Sequence, residues 1–400
     1  MTYFLIGDEM KKFLMFLFLS IFFISGVYAE EENNTEKSTN ALAPNAKSAI
    51  IVEESTGEIL YEHNSHEKLN PASMTKMMSL LLIMENIENG VIKWNDTITV
   101  SENASSMGGS QILLETGEEM SVEDLVKGVA IASGNDAVVA LAEAIAGTEE
   151  NFVKMMNEKA KELGLKDTNF KNCHGLDEAN HYSSAYDMAM IGRELVKHEK
   201  ILEFSSIYET YLREGTDRKI WLVNTNKLVR FKSGVDGLKT GYTESAGYCL
   251  TATMKKDNMR VIATVMGEPE STTRNTEVSS MLDYAFAQYK IDRVLKKGSV
   301  VKKVNVNKAK VDKIKLVPTE DVTILSKKIE KSVDYDYEIE VEDIKLPIKV
   351  GDIMGKMYLK DGNKIIREIE LTVNKNVEKA NIIELFGKYI SDILSGNMSL

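Results

Sequence analysis

The chain has 400 residues, 49 of them basic and 61 acidic, which gives a net charge of −12 and a pI near 5.2. That length exceeds one ordinary domain and implies two or more, and a 43% hydrophobic content is enough for a sizeable core. The acidic balance argues against nucleic acid as a partner, and two cysteines are too few for a disulfide framework.

The N-terminus has the pattern of an export signal. Lys11 and Lys12 precede an apolar run over residues 13–24, and Val27-Tyr28-Ala29 offers a small-residue cleavage site, so residues 1–29 are expected to be a signal peptide. The run is short for a membrane span; the rival is an uncleaved N-terminal anchor. Asp8 and Glu9 stand before the lysines, which makes Met10 a second candidate start beside Met1. Residues 30–45 carry charges, Asn and Ser without apolar period and are expected to be a flexible leader.

From Ala46 the text becomes globular. Two apolar runs, 48–52 without clean alternation and 59–61, flank Ser55-Thr56-Gly57 and suggest a hairpin. Asn70-Pro71-Ala72-Ser73-Met74-Thr75-Lys76 then opens a helix expected to run to about Asn89-Gly90, with Pro71 suited to its start. Further helices are expected over 123–131, 136–146, 151–163 (closed by Gly164), 186–197 and 279–289. Val235-Asp236-Gly237 is expected to be a turn before a strand at Lys239, and 248–254 and 261–266 are expected to be strands.

Three short motifs lie on this frame. Ser73 and Lys76 are one helical turn apart, so the amine can reach the hydroxyl; a lysine held neutral can take the serine proton. The positive end of the helix would favour a developing oxyanion. Ser133-Gly134-Asn135 follows, 60 residues after Ser73, and Lys239-Thr240-Gly241 comes 106 residues after Ser133. Each alone is weak; the three in this order resemble the set shared by class A β-lactamases and penicillin-binding proteins. The chain resembles a low-molecular-weight penicillin-binding protein of the serine D-alanyl-D-alanine carboxypeptidase family over about residues 46–375. Residues 107–112, 172–177 and 181–189 resemble that family too. Cys173 is a departure, at a position where the family is not expected to have cysteine.

The resemblance implies an α+β fold: a five-stranded antiparallel sheet with helices on both faces. It implies that Ser73 attacks the carbonyl between two D-alanines of a peptidoglycan stem, Lys76 accepts its proton and Ser133 passes a proton to the leaving amine. Asn135 would hold the substrate amide, Lys239, Thr240 and Gly241 would line the leaving-residue side, and the backbone N–H groups of Ser73 and Tyr242 would form the oxyanion hole. Arg274 matches by spacing an arginine placed near the substrate carboxylate. β-Lactams would acylate Ser73 and leave slowly. No cofactor is implied and no metal spacing is evident; His174 and His181 are expected to be structural, and Cys173 and Cys249 to be free, buried thiols. A class A β-lactamase would need Glu-x-x-Leu-Asn, which is absent; residues 199–203 are nearest and end in Glu203. Two rival functions stay open: an endopeptidase acting on cross-links, and an inactive wall-binding module.

Composition shifts near Lys290. Residues 46–289 hold 24 basic and 37 acidic side chains, whereas 290–375 hold 20 and 15, a change from −13 to +5. Short Val-, Ile- and Lys-rich runs such as 300–306 and 337–341 predict a small all-β domain over 290–375 with no helix of length. In residues 376–400, Ile382, Ile383, Leu385, Phe386, Tyr389, Ile390, Ile393 and Leu394 share one half of a helical wheel. This is expected to be an amphipathic helix that lies in a membrane interface, on the outer face of the cytoplasmic membrane.

Overall fold

The structure, a computed structural model, describes residues 41–329, 335–362 and 364–394. The expected signal peptide and the leader up to residue 40 lie outside the described residues.

Five antiparallel strands form the first sheet: β1 (Ser48–Glu53), β2 (Ile59–His63), β3 (Val235–Thr243), β4 (Gly247–Lys256) and β5 (Met259–Glu268). Their order is β2-β1-β5-β4-β3. All six residues of β1 and nearly all of β5 are buried, because both faces of these central strands are covered; this is why residues 48–52 lack polar alternation. On one face, Ile262 and Thr251 meet Gly192 of helix α5 (Ala185–Leu195) so closely that a Cβ there would stand 3.2 Å from the Thr251 methyl. The alternate residues point away from α5 by the period of two, and helix α6 (Ser271–Gln288) packs on β5, β4 and β1.

Between β2 and β3 lie the remaining helices. α1 (Lys76–Glu88) is buried over its first nine residues and packs on α5, and α2 (Val122–Ala132) and α3 (Asn135–Ala146) pack on each other around α1. α4 (Glu149–Glu162) begins two residues before the expected position, because Thr148 accepts the N–H of Asn151 and Glu149 and Glu150 stand at the positive end of the helix.

Two expectations are corrected. Residues 235–237 are not a turn but the first part of β3. Asp and Gly favour loops in isolation; here Asp236 receives a two-pronged contact from Arg260, both arms at 2.8 Å, and a bulge absorbs the irregular step. The helix expected over 279–289 starts eight residues earlier, at Ser271. Its first two turns, Ser271-Thr272-Thr273-Arg274-Asn275-Thr276-Glu277, have modest propensity, but Arg274 and Glu277 are buried against the sheet and hold them.

After α6 the chain enters the all-β part. β6 (Tyr289–Leu295) pairs with β9 (Val322–Lys327). β7 (Lys302–Asn305), β8 (Lys313–Pro318), β12 (Lys364–Val373), β11 (Gly355–Asp361) and β10 (Asp336–Val341) form a second antiparallel sheet in that order. Leu316, Met357, Leu359, Ile369 and Leu371 form its core. Helix α7 (Ile382–Leu394) follows, with its described apolar residues largely exposed: Ile382 at 85%, Ile383 at 82% and Phe386 at 66%.

Candidate active site

Ser73 lies in a 3-10 turn, Ala72–Thr75, that leads directly into α1. The turn is tight: Ala72 has φ of +46°, an unfavourable value for an L-residue, and the Asn70 side chain holds it by accepting the Ala72 N–H at 2.9 Å. Gly175 and Gly241 close on this turn from two sides. A Cβ at Gly175 would lie 2.0 Å from the Ala72 carbonyl oxygen, and one at Gly241 would lie 2.6 Å from that of Pro71. Glycine at the third place of Lys-Thr-Gly is therefore what lets β3 reach the nucleophile.

The spacing of Ser73 and Lys76 has the expected result. Lys76 is fully buried, and its Nζ contacts Ser73 Oγ at 3.0 Å, Asn135 Oδ1 at 2.6 Å and the His174 carbonyl at 2.6 Å. Burial pulls its pKa down to about 7, against opposing pulls from Cys173 and Asp136. A neutral amine has two N–H groups and one lone pair. The two carbonyl-type oxygens take the N–H groups, which leaves the lone pair for the Ser73 hydroxyl.

Ser133 caps the C-terminus of α2 in the left-handed conformation, φ +65°, and this reversal brings Asn135 to the start of α3. Asn135 is fixed at both ends: its Oδ1 receives Lys76, and its Nδ2 donates to the Gly108 carbonyl at 2.6 Å. Asp136 accepts the backbone N–H groups of Ile112 and Leu114, both at about 3.0 Å, and so anchors the loop that carries Ser110.

Lys239 is 1% exposed and donates to the Thr240 carbonyl at 3.0 Å; burial, Lys76 and Arg274 hold its pKa well below the usual lysine range. Thr240 donates to Thr225 Oγ1 at 2.7 Å. Arg274, 5% exposed, gives two N–H groups to Asn275 Oδ1 at 2.9 and 3.1 Å and lies over the Tyr248 ring. Tyr242 stacks on Tyr248 with ring centroids 4.3 Å apart.

A cavity of about 450 Å³ gathers these groups. Of the nine candidate residues named from the sequence, Ser73, Ser133, Thr240, Gly241, Tyr242 and Arg274 line it. Lys76, Asn135 and Lys239 are buried behind the lining. Ser110, Val223, Thr225, Lys227 and Tyr248 also line it, and sequence reasoning missed them. Ser110 lies within the family-like stretch 107–112; the others carry no local signal, because strand pairing brings them there. Among the described lining residues there is no carboxylate, and Glu199 and Glu203 of the β-lactamase-like stretch are exposed.

His174 and His181 are both neutral, their pKa values pulled down to about 4 chiefly by burial. His181 Nδ1 accepts the Lys171 N–H at 3.1 Å, so Nε2 carries the hydrogen and donates to Thr75 Oγ1 at 2.8 Å. The His181 ring thus braces the turn that carries Ser73, whereas the His174 ring accepts the Leu176 N–H at 3.2 Å. Cys173 and Cys249 are free and buried. Among the described residues no group of three or more His, Cys, Asp or Glu could hold a metal.

Comparison with known proteins bears on the same residues. The family described as D-alanyl-D-alanine carboxypeptidase matches residues 34–270, and the penicillin-binding protein 5 C-terminal domain matches 289–379. D-alanyl-D-alanine carboxypeptidase DacF of Bacillus subtilis (strain 168) is 50% identical over 384 residues, 96% of this chain and 99% of the relative. The crystal structure of penicillin binding protein 5 from Haemophilus influenzae superposes with a TM-score of 0.68 at 34% identity, covering 84% of this chain and 98% of that one. Penicillin-Binding Protein D2 from Listeria monocytogenes, in its cefotaxime-bound form, superposes with a TM-score of 0.55 at 29% identity over 60% of this chain and 97% of that one.

Proposed function

Because the chain belongs to the D-alanyl-D-alanine carboxypeptidase family, we propose that this site removes the terminal D-alanine from peptidoglycan stem peptides through an acyl-enzyme on Ser73. The observation that carries the reading is the fully buried Lys76 amine at 3.0 Å from Ser73 Oγ, its pKa pulled down to about 7. Lys76 takes the hydroxyl proton as Ser73 Oγ bonds to the scissile carbonyl carbon. The backbone N–H groups of Ser73 and Tyr242 receive the oxyanion. The C–N bond breaks as Ser133 gives its proton to the nitrogen and receives in exchange the one Lys76 took, which returns Lys76 to its free-base form, and free D-alanine leaves. Water then attacks the ester, and Ser73 recovers its proton. Burial, with Lys76 and Arg274, holds the Lys239 pKa down, and an arriving carboxylate favours its charged form beside Arg274. β-Lactams acylate Ser73 in the same way, and the ring keeps the leaving nitrogen tethered. Release of D-alanine from a pentapeptide tests the reading, and cleavage confined to cross-linked dimers would overturn it.

Protonated Lys76 cannot act as the base, so the rate must rise with pH. Acylation by a fluorescent penicillin is expected to gain about tenfold per unit as pH climbs towards 7 and then to level off. Stopped-flow acylation rates from pH 5 to 8.5 check this; a flat profile below 7 would remove Lys76 from the role.

We propose that residues 1–29 direct export, that 30–45 are a leader, that 46–289 form the catalytic domain and that 290–375 form the β domain. Residues 376–400 would attach the enzyme to the outer face of the cytoplasmic membrane. Among the described residues no helix is long and apolar enough to cross a membrane, so α7 would lie in the interface with Ile382, Ile383, Phe386 and Ile393 in the acyl boundary. Burying such a side chain contributes about 1.5–3 kcal/mol. Deleting residues 377–400 is expected to move active enzyme to the soluble fraction. Active enzyme that stays in the membrane pellet would point to an uncleaved N-terminal segment instead.

A further inference from the structure

Behind the part of the cavity wall formed by Arg274 lies a buried acidic pair that the mechanism above does not use. Glu268 closes β5 and is 0% exposed, and neither of its carboxyl oxygens meets a donor among the described residues. The group set against it is another carboxyl, that of Glu277. Glu277 stands three residues after Arg274 on α6, on the same face. It is also buried, and it accepts the Asn45 N–H at 3.2 Å and the Asn45 side-chain amide. Two buried carboxyls in contact cannot both ionise, so they share a proton. Asn45 already supplies donors to Glu277; the proton therefore sits on Glu268, whose O–H donates to Glu277.

We propose that the proton-sharing pair Glu268–Glu277 positions Arg274, keeping its guanidinium available to the cavity and so setting the preference for substrates that end in a free carboxylate. This rests on the reading of Arg274 as the carboxylate partner. With the proton in place, one carboxylate faces one guanidinium and the cluster is neutral. Without it, two anions face one cation. The guanidinium is drawn to the pair, and a substrate carboxylate meets net negative charge. Burial, reinforced by Glu277 and opposed by Arg274, pushes Glu268 up to about 8, so the change falls within an accessible range. The other groups that face the cluster are Tyr248 and Cys249 of β4, Lys47 beside Gly267, and Lys239 of β3 facing Arg274. Cys249, pushed up to about 11 by burial, stays neutral throughout.

The test compares kcat/KM for two peptides, one ending in D-alanyl-D-alanine and one in D-alanyl-D-alaninamide, from pH 6 to 10. In the wild type the ratio of acid to amide is expected to fall about tenfold above pH 8, the equivalent of one unit of pKa perturbation. In Glu268→Gln the amide group donates permanently to Glu277, and the ratio is expected to stay level while penicillin acylation is retained. The proposal is overturned by a large wild-type ratio that does not change with pH. It is equally overturned by an alkaline fall that persists unchanged in Glu268→Gln, which Lys239 would produce. A ratio near one at every pH would remove the carboxylate contact itself, and the proposal with it. A level wild-type ratio overturns the proposal even if Glu268→Gln fails to fold, and Glu277→Gln, which removes the same acidic pair, then separates the pair from Lys239 as the source of a fall.

Discussion

Ser73→Ala is expected to abolish covalent labelling by a fluorescent penicillin and D-alanine release together, with the fold intact. Loss of a nucleophile in a serine peptidase costs on the order of 10⁶ in turnover, and among the described residues Ser73 is the cavity hydroxyl with a neutral amine against it. Ser133, the nearest rival by chemistry, lines the same cavity, but the Lys76 amine is held by Ser73, Asn135 and His174. The side chain of Ser73 is half-buried and gives up one hydrogen bond in the change, worth about 0.5–1.5 kcal/mol. A thermal unfolding midpoint within a few degrees of wild type would confirm intact folding. Persistent labelling would place the acyl group elsewhere and sink the assignment.

Arg274→Ala is expected to carry the second largest effect. A charged contact left unpaired costs about 2–4 kcal/mol, which is roughly 30- to 1000-fold in rate. The guanidinium fork suits a carboxylate better than a lysine does. The side chain is held at the cavity by Asn275 and Tyr248. kcat/KM for a peptide ending in D-alanine should therefore fall by that range, and for the same peptide ending in D-alaninamide far less. Equal and small losses would show that Arg274 does not meet the carboxylate. The variant also strips the cation from a buried acidic pair, so its stability should be measured alongside, at a pH well below 8.

The site was legible where chemistry follows local spacing. Ser73 and Lys76 meet because three residues make one turn, and Ser133 lies just past a helix whose apolar period marks its end. The five-stranded sheet came from the family resemblance, not from the strand patterns, since β1 and β5 are buried on both faces and show no alternation. What stayed hidden depends on distant partners. Asp236 reads as a turn residue until Arg260 is placed beside it. The first turns of α6 read as polar and irregular until Arg274 and Glu277 turn inwards. Thr225 and Tyr248 reach the cavity through strand pairing and loop closure, and the contact of Glu268 with Glu277 joins a strand end to a helix.

The buried amine of Lys76 has a cost that selection must tolerate. In the unfolded chain this lysine keeps its proton up to the ordinary lysine value of 10.5, whereas in the fold it releases it at about 7. The unfolded state therefore binds more protons between those values, and stability rises with pH across that window. At or below pH 7 the penalty is on the order of 5 kcal/mol, a large share of what a domain of this size has to spare. A methionine there would fill much the same volume without the penalty. Mutational drift judged on stability alone would thus favour loss of the catalytic lysine, and a lineage that no longer needed the reaction should lose Lys76 while keeping the fold.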